Sequence, residues 1–276
     1  MRIVLLIPQL HAGTELVLNR LLKQKNLNVV GIIRSAVSPF RRSYWRYAAM
    51  GVKKAGFFYG AQIAIFAYLH RIVRGVSRLL FWRKFRFWLS TDELIERYQI
   101  NLSDTEDVNS HETLQVLESW KPDVLITLYF DQILKKSVLR IPKQAALNLH
   151  PGGLPLYRGL WPDFWQLLHG EKRAGVTLHH LNEQIDAGDV IAHMNFPIHK
   201  KDTKFSLGLR SAQHGAKLLI RVLQQMRKGI KLPMINLPGK PRYFSLPKKA
   251  DFDTYYSKGK KLFSLGELQR ELGRWW

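Results

Sequence analysis

The residues best suited to chemistry lie in the run NLHPGGLPLYRG, positions 148 to 159. Asn148 and His150 end an apolar stretch that predicts a strand over residues 145–149. Because side chains alternate along a strand, the amide and the imidazole project to one side while Leu149 faces the other. An amide can donate to a developing oxyanion, and an imidazole can move a proton. The spacing therefore predicts an oxyanion donor beside a proton carrier.

The loop after His150 holds three glycines and two prolines in nine residues. Such a loop follows a fixed path with little side-chain bulk, so a substrate can approach the backbone at Gly152 and Gly153. Tyr157 and Arg158 follow in the same loop. We consider two roles for them, contact with an acceptor substrate or anchoring of the loop.

A carboxylate follows 36 residues after His150, at Asp186. It precedes Gly188 in a predicted loop between two strands, and a carboxylate so placed can orient an imidazole and stabilise its protonated form. His179 and His180 are adjacent on the first of these strands, so they face opposite sides. Either one approaches the site or serves the structure, and no spacing in the sequence argues for a metal site.

The elements around these residues alternate in the order typical of an α/β protein. A strand, a helix and a second strand occupy the first 33 residues, and apolar strands and helices resume after residue 90. In an open parallel sheet, ligands bind at the carboxyl ends of the strands, where residues 148 and 150 lie. We expect a mostly parallel, Rossmann-like sheet with helices on both faces. We also expect Asp202 to cap a long helix that ends near Gly229.

The chain carries a formal net charge of +22 and no cysteine. The absence of cysteine excludes disulfides, thiolate metal sites and a cysteine nucleophile. No acidic residue occurs between Glu15 and Asp92, and residues 40–90 have no strand pattern. We predict a catalytic domain over residues 1–230, a basic helical insertion at about 36–90 and a basic C-terminal extension over 231–276.

Residues 68–88 interleave aromatic and cationic side chains. Three interpretations stay open: a helix packed on its own domain, contact with an anionic membrane surface, or stacking on single-stranded RNA. We rank nucleic acid below a membrane. No apolar stretch reaches the roughly 20 residues that span a bilayer, and no export signal is evident. The expected location is the cytoplasm, with attachment to the inner face of a membrane as the alternative.

Three blocks of sequence carry a resemblance to a known family. They are NLHP…LPxYRG from Asn148, GVTxH from Gly175 and ExIDAGD from Glu183. In order and spacing they resemble the formyltransferases that use 10-formyltetrahydrofolate. The resemblance implies a catalytic set of Asn148, His150 and Asp186. It also implies a folate pocket, built by residues Phe130, Ile133, Leu134, Ala187 and Gly188.

The implied reaction moves a formyl group from N10 of the folate to a primary amine. Two departures from the family bear on the acceptor. Family members usually carry Ser-Leu or a similar pair at the position of Gly152-Gly153, and they commonly carry a glycine at the position of Gln184. The glycine-rich phosphate loop of glycinamide ribonucleotide formyltransferases is missing at residues 9–14, and only 46 residues follow Ile230, too few for the appended barrel of methionyl-tRNA formyltransferase.

We therefore expect an amino sugar or another small, phosphorylated amine as acceptor, with no metal. Two alternatives are kept. One is hydrolysis of the formyl-folate, in which water replaces the amine. The other is a basic protein that binds a membrane or RNA and retains only the fold.

Overall fold

The strands of the described residues form one large sheet and one small one. The computed structural model describes residues 1–9, 11–36, 53, 56, 57, 59, 61 and 89–264. The strands are β1 (Arg2–Pro8), β2 (Asn28–Ser35), β3 (Asn101–Thr105), β4 (Val124–Leu128), β5 (Ala145–His150), β6 (Arg158–Gly159), β7 (Arg173–His180), β8 (Val190–Pro197) and β9 (Tyr243–Phe244). The large sheet has the order β3-β2-β1-β4-β5-β7-β8, and β6 pairs with β9.

The expected mostly parallel sheet is confirmed. The pairs β1–β2, β2–β3, β1–β4 and β4–β5 are parallel, while β5–β7 and β7–β8 are antiparallel. The carboxyl ends of β1, β4 and β5 therefore meet at one edge. At β5 the direction changes, so β7 runs back from that edge beside the residues that end β5.

Helices cover both faces of the sheet. They are α1 (Ala12–Leu21), α2 (Thr91–Tyr98), α3 (His111–Trp120), α4 (Lys136–Leu139), α5 (Pro162–Leu168), α6 (Lys204–Arg227) and α7 (Lys249–Ser257). Alternation along β1 divides the core. Ile3 and Leu5 pack with residues of α1 and α6, and Val4 packs on the other face with Leu117 of α3 and Val138 of α4.

Strand β3 is absent from the sequence-based expectations. Its residues, NLSDT, are polar and largely exposed, so they lack the alternation of a half-buried strand. It is nevertheless paired with β2 from Gly31 to Ser35, at the edge of the sheet. Pairing with β2 accounts for this strand, and no local pattern predicts it.

The expected cap of the long helix is wrong by one residue. Thr203 is the N-cap of α6, and its side chain accepts a hydrogen bond from the backbone N–H of Ser206. The carboxylate of Asp202 instead accepts from the backbone N–H of His199 and pairs with Arg210. The helix ends at Arg227, close to the expected glycine.

The C-terminal extension contains regular structure that its sequence pattern does not predict. Strand β9 pairs with β6, and α7 places Phe252 and Tyr255 in the main core. Tyr59 stacks on the Phe252 ring at 4.9 Å and donates to the Asp253 carboxylate at 2.6 Å. Apart from a few positions such as Tyr59, the predicted insertion lies outside the described residues, as does all of 68–88. No helix within the described parts is long and apolar enough to cross a membrane.

Candidate active site

Strand β5 and its two neighbours bring the polar residues together. Asn148 is paired with Thr127 of β4 on one side and with His179 of β7 on the other. Leu149 points the opposite way into the main core, against Gly215 of α6. Asn148 and His150 therefore lie on one side of the strand, as the alternation predicts.

The Asn148 amide is fully engaged by its neighbours. Its Oδ1 accepts from the Thr127 hydroxyl at 2.8 Å. Its Nδ2 donates to Asp186 Oδ1 at 3.0 Å and lies 3.0 Å from His179 Nε2. These partners hold the amide in one orientation.

His179 is the partner that the sequence left undecided. Its Nδ1 lies 2.8 Å from the carbonyl oxygen of His180. Because a carbonyl only accepts, Nδ1 carries the proton and Nε2 is the acceptor for the Asn148 amide. The side chain is 1% exposed. Sequence reasoning did not find Thr127, and it could not separate His179 from His180, because both depend on strand pairing.

Asp186 bridges the other two predicted catalytic residues. Its Oδ1 accepts from Asn148, and its Oδ2 accepts from the backbone N–H of Gly159 at 2.8 Å and lies 3.4 Å from His150 Nδ1. Burial by itself raises the pKa of Asp186. The charge of protonated His150, the proximity of His179 and the hydrogen bond from the Gly159 N–H together outweigh burial, so the pKa of Asp186 lies well below its ordinary value. The carboxylate is therefore ionised at neutral pH.

His150 is buried, and its two ring nitrogens have different partners. Nε2 lies 2.6 Å from the Tyr157 carbonyl oxygen, so this nitrogen carries the proton. Nδ1 faces Asp186. Burial lowers the pKa of His150 below 6.5, and the Asp186 charge opposes that shift only in part. The ring is thus neutral at pH 7, with Nδ1 free of a proton and beside a carboxylate that would stabilise the protonated form.

The loop from Gly152 to Arg158 packs closely around the His150 ring. A Cβ atom on Gly152 would lie 2.7 Å from His150 Nε2, whereas one on Gly153 would meet nothing closer than 3.8 Å. The Tyr157 hydroxyl donates to Glu171 at 2.7 Å, so this side chain anchors the loop. Burial and then Glu171 raise the pKa of Tyr157 above its ordinary value. Arg158 has a buried Nε with no hydrogen-bond partner.

The residues predicted to bind folate lie on two loops. The first loop contains Phe130, Ile133 and Leu134, and it is held by one hydrogen bond to the Gln132 side chain and one to the Ile133 carbonyl. The Ile133 side chain is 58% exposed. Leu134 is buried in the second core cluster, against which Phe130 packs. Ala187 and Gly188 adjoin Asp186. Within the described residues, no group of three His, Cys, Asp or Glu side chains could hold a metal ion.

Comparison with known proteins finds a family model that matches part of the chain. Residues 91–223 match the model described as formyl transferase. The methionyl-tRNA formyltransferase of Synechococcus sp. (strain JA-3-3Ab) is 36% identical over 141 residues, which are 51% of this chain and 44% of that protein. The chain thus spans less than half the length of this curated relative.

Solved structures share the fold at lower identity. The phosphoribosylglycinamide formyltransferase from Anaplasma phagocytophilum superposes with a TM-score of 0.58 at 16% identity, covering 90% of this chain and 99% of that one. An N-formyltransferase from Helicobacter canadensis, in complex with folinic acid and dTDP-3-aminofucose, has a TM-score of 0.54 at 17% identity and covers 89% and 71%.

Proposed function

We propose that this chain, whose residues 91–223 match the formyl transferase model, transfers a formyl group from 10-formyltetrahydrofolate to a primary amine. One observation carries the proposal: Asp186 contacts both Asn148 and His150 at the carboxyl end of β5, inside the matched region. A protein that retained only the fold would have no need for this joined set.

The donor would lie between the two loops predicted to bind folate. The exposed Ile133 side chain offers apolar surface to a pterin ring or its linker, while Ala187 and Gly188 offer backbone groups beside Asp186. Leu134 is buried in the core and so anchors the loop that carries Ile133. When bound, the folate supplies a formyl group on N10 that is activated for attack by an amine.

Asn148 would stabilise the negative charge that develops on the formyl oxygen. Its Nδ2 already has its hydrogens directed at Asp186 and His179. We infer that the hydrogen now directed at His179 is the one that donates to the formyl oxygen, while Thr127 and Asp186 keep the amide in place. An amide donor in this role typically contributes about 10²–10³ in rate.

His150 would carry the proton. Its Nδ1 accepts the proton that the attacking amine loses, and Asp186 stabilises the resulting imidazolium. The proton then passes to N10 of the folate as the bond between N10 and the formyl carbon breaks. The amine gains the formyl group, and tetrahydrofolate is the second product.

For the acceptor we propose an amino sugar or another small phosphorylated amine. The net charge of +22 favours an anionic partner. Arg158 lies in the loop of residues 152–160, here called the catalytic loop, and its Nε is buried without a partner. It is the cation best placed to meet an anionic group. An added Cβ atom at Gly153 would meet nothing closer than 3.8 Å, so this glycine leaves room for the acceptor in the loop that follows His150.

The test is direct. The purified chain is incubated with 10-formyltetrahydrofolate and a panel of amines that includes nucleotide-linked amino sugars, and mass spectrometry looks for the gain of one formyl group. Loss of the donor without acceptor, with release of formate, would instead establish hydrolysis. If neither product forms and no reduced folate binds, the proposal is wrong.

A further inference from the structure

A segment beyond the family match is built into the candidate site. Residues 242–244, in and before β9, run beside the catalytic loop. Arg242 N donates to the Pro155 carbonyl at 3.1 Å, Arg158 N donates to the Arg242 carbonyl at 3.0 Å, and Leu160 N donates to the Phe244 carbonyl at 2.8 Å. The matched region ends at residue 223. The segment thus holds the loop through backbone bonds on both sides of Gly159.

Gly159 transmits this contact to Asp186. Its N–H donates to Asp186 Oδ2, the same carboxylate oxygen that faces His150 Nδ1. A Cβ atom at Gly159 would lie 2.3 Å from the Phe244 carbonyl oxygen and 2.8 Å from the Tyr243 ring, and its φ is +93°. Only glycine allows the segment to approach this closely while the N–H points at Asp186.

The aromatic ring of Phe244 anchors residues 242–244 by packing against other rings of the protein. It stacks on Trp165 at 4.8 Å and on Tyr157 at 5.6 Å, and it lies 5.4 Å from His169. The Trp165 indole also donates to the carbonyl of Ser245 at 3.2 Å. Since Tyr157 provides the carbonyl that binds His150 Nε2, Phe244 supports both sides of the His150–Asp186 pair.

We propose that residues 242–244 position Asp186 through Gly159, and position His150 through Tyr157, so that the C-terminal extension is part of the catalytic apparatus. None of the three is a catalytic residue, because none reaches the reacting atoms. The kinetic test below rests on the proposed function, whereas the titration test does not.

The titration of His150 separates positioning from simple stability. The ring faces Asp186, His179 and the Tyr157 carbonyl, and the Asp186 carboxylate raises its pKa whereas His179 lowers it. If the segment moves, Asp186 loses the Gly159 hydrogen bond and draws away from His150. The pKa of His150 then falls, and its NMR titration moves to lower pH. A loss of global stability alone leaves this titration unchanged.

The main experiment compares Phe244→Ala with Phe252→Ala. Both remove an aromatic ring from the packed C-terminal extension, but the Phe252 ring contacts Phe164, Trp161 and Tyr59 and not the catalytic loop. Phe244→Ala should shift the His150 titration to lower pH and reduce kcat by about tenfold or more. Phe252→Ala should leave the titration in place. Equal titrations in the two variants and the wild type would overturn the proposal.

A second pair keeps the test decisive if Phe244→Ala fails to fold. Gly159→Ala forces β6 and β9 apart, while Gly170→Ala introduces the same methyl group at a φ of +72° with nothing within 4 Å. Both substitutions place an alanine at a positive φ, which destabilises the backbone by a similar amount in each case. Only Gly159→Ala should move the His150 titration. If formyl transfer is never detected yet this shift occurs, positioning holds and the proposed reaction fails.

Discussion

Each of the three candidate catalytic residues is held by contacts that leave it little freedom. Thr127 orients Asn148, the Tyr157 carbonyl orients His150, and the Gly159 N–H orients Asp186. Groups that are already oriented do not need to reorganise when charge develops, which is how such sites accelerate reactions. The predictions for single residues follow from this arrangement.

Replacing either reacting side chain should abolish most turnover. We expect Asn148→Ala to lower kcat by about 10²–10³ and His150→Ala by about 10²–10⁴, with little change in thermal stability. The matched control is His180→Ala, because this neighbouring histidine makes no side-chain hydrogen bond to the three residues. Activity near that of the wild type in either purified variant contradicts the assignment.

The dependence of turnover on pH should report the burial of His150. Since burial lowers its pKa below 6.5, the neutral form that accepts a proton persists to lower pH than in a free histidine. The acid limb of kcat/KM should therefore lie below pH 6.5. Asp186→Asn should move it lower still, because the carboxylate raises the pKa of His150. An acid limb at or above pH 6.5, with chemistry limiting the rate, would contradict this prediction.

Strand pairing adds residues of β4 and β7 to the site at the end of β5. The parallel register with β4 places Thr127 beside Asn148, and the antiparallel register with β7 places His179 there. A shift of one residue in either register would exchange the faces of the strand and remove these partners. The adjacent strands therefore contribute to the site through their alignment.

Thr127→Val tests the contribution of β4. Valine keeps the shape of the side chain but removes the hydroxyl that donates to Asn148 Oδ1 at 2.8 Å. The Asn148 amide loses one of the contacts that fix its orientation, so we expect kcat to fall by about tenfold while KM for the folate changes little. Steady-state kinetics measure both values. An unchanged kcat would mean that Asp186 and His179 suffice to orient Asn148.

The C-terminal extension is integrated with the rest of the molecule. Leu246, Phe252, Tyr255 and Leu262 are all buried, and residues 261 and 262 accept hydrogen bonds from the start of α6. We predict that residues 231–264 unfold together with the catalytic domain.

Phe252→Ala should thus destabilise the whole protein by about 3–5 kcal/mol, the usual cost of deleting a buried phenylalanine side chain. Phe57→Ala is the control, since Phe57 is 80% exposed and its removal should cost less than about 0.5 kcal/mol. Urea unfolding followed by circular dichroism measures both changes. Two separate transitions in the wild type would show that the extension unfolds independently.

The distribution of charge leads to a prediction about partners. Residues 68–88 concentrate aromatic and cationic side chains. The membrane interpretation of this segment predicts that the protein sediments with vesicles that contain anionic lipid and is released by salt, whereas a helix packed on its own domain predicts no such binding. Arg83→Gln combined with Lys84→Gln and Arg86→Gln should weaken binding. Equal, negligible binding to anionic and neutral vesicles would remove the membrane interpretation.

The sequence alone predicts the class of fold and the candidate catalytic set. Buried strands such as β1 and β4 are continuous apolar runs, and α6 has a strong helical period, so local pattern is enough to identify them. The residue types at Asn148 and His150 predict an oxyanion donor beside a proton carrier, and the resemblance of this block and of the Asp186 loop to formyltransferases implies formyl transfer. Polar strand β3, the two residues of β9 and the helix α7 have no comparable local signal.

Tertiary structure alone decides which groups meet. His179 rather than His180 joins the site because of the register between β5 and β7, and Tyr157 anchors the loop because Glu171 lies within 2.7 Å of its hydroxyl. Strand β9 pairs with β6, more than 80 residues earlier in the chain, and so lies against Gly159, whose N–H donates to Asp186. Contacts between distant parts of the chain depend on packing and strand alignment, and no single stretch of sequence encodes these.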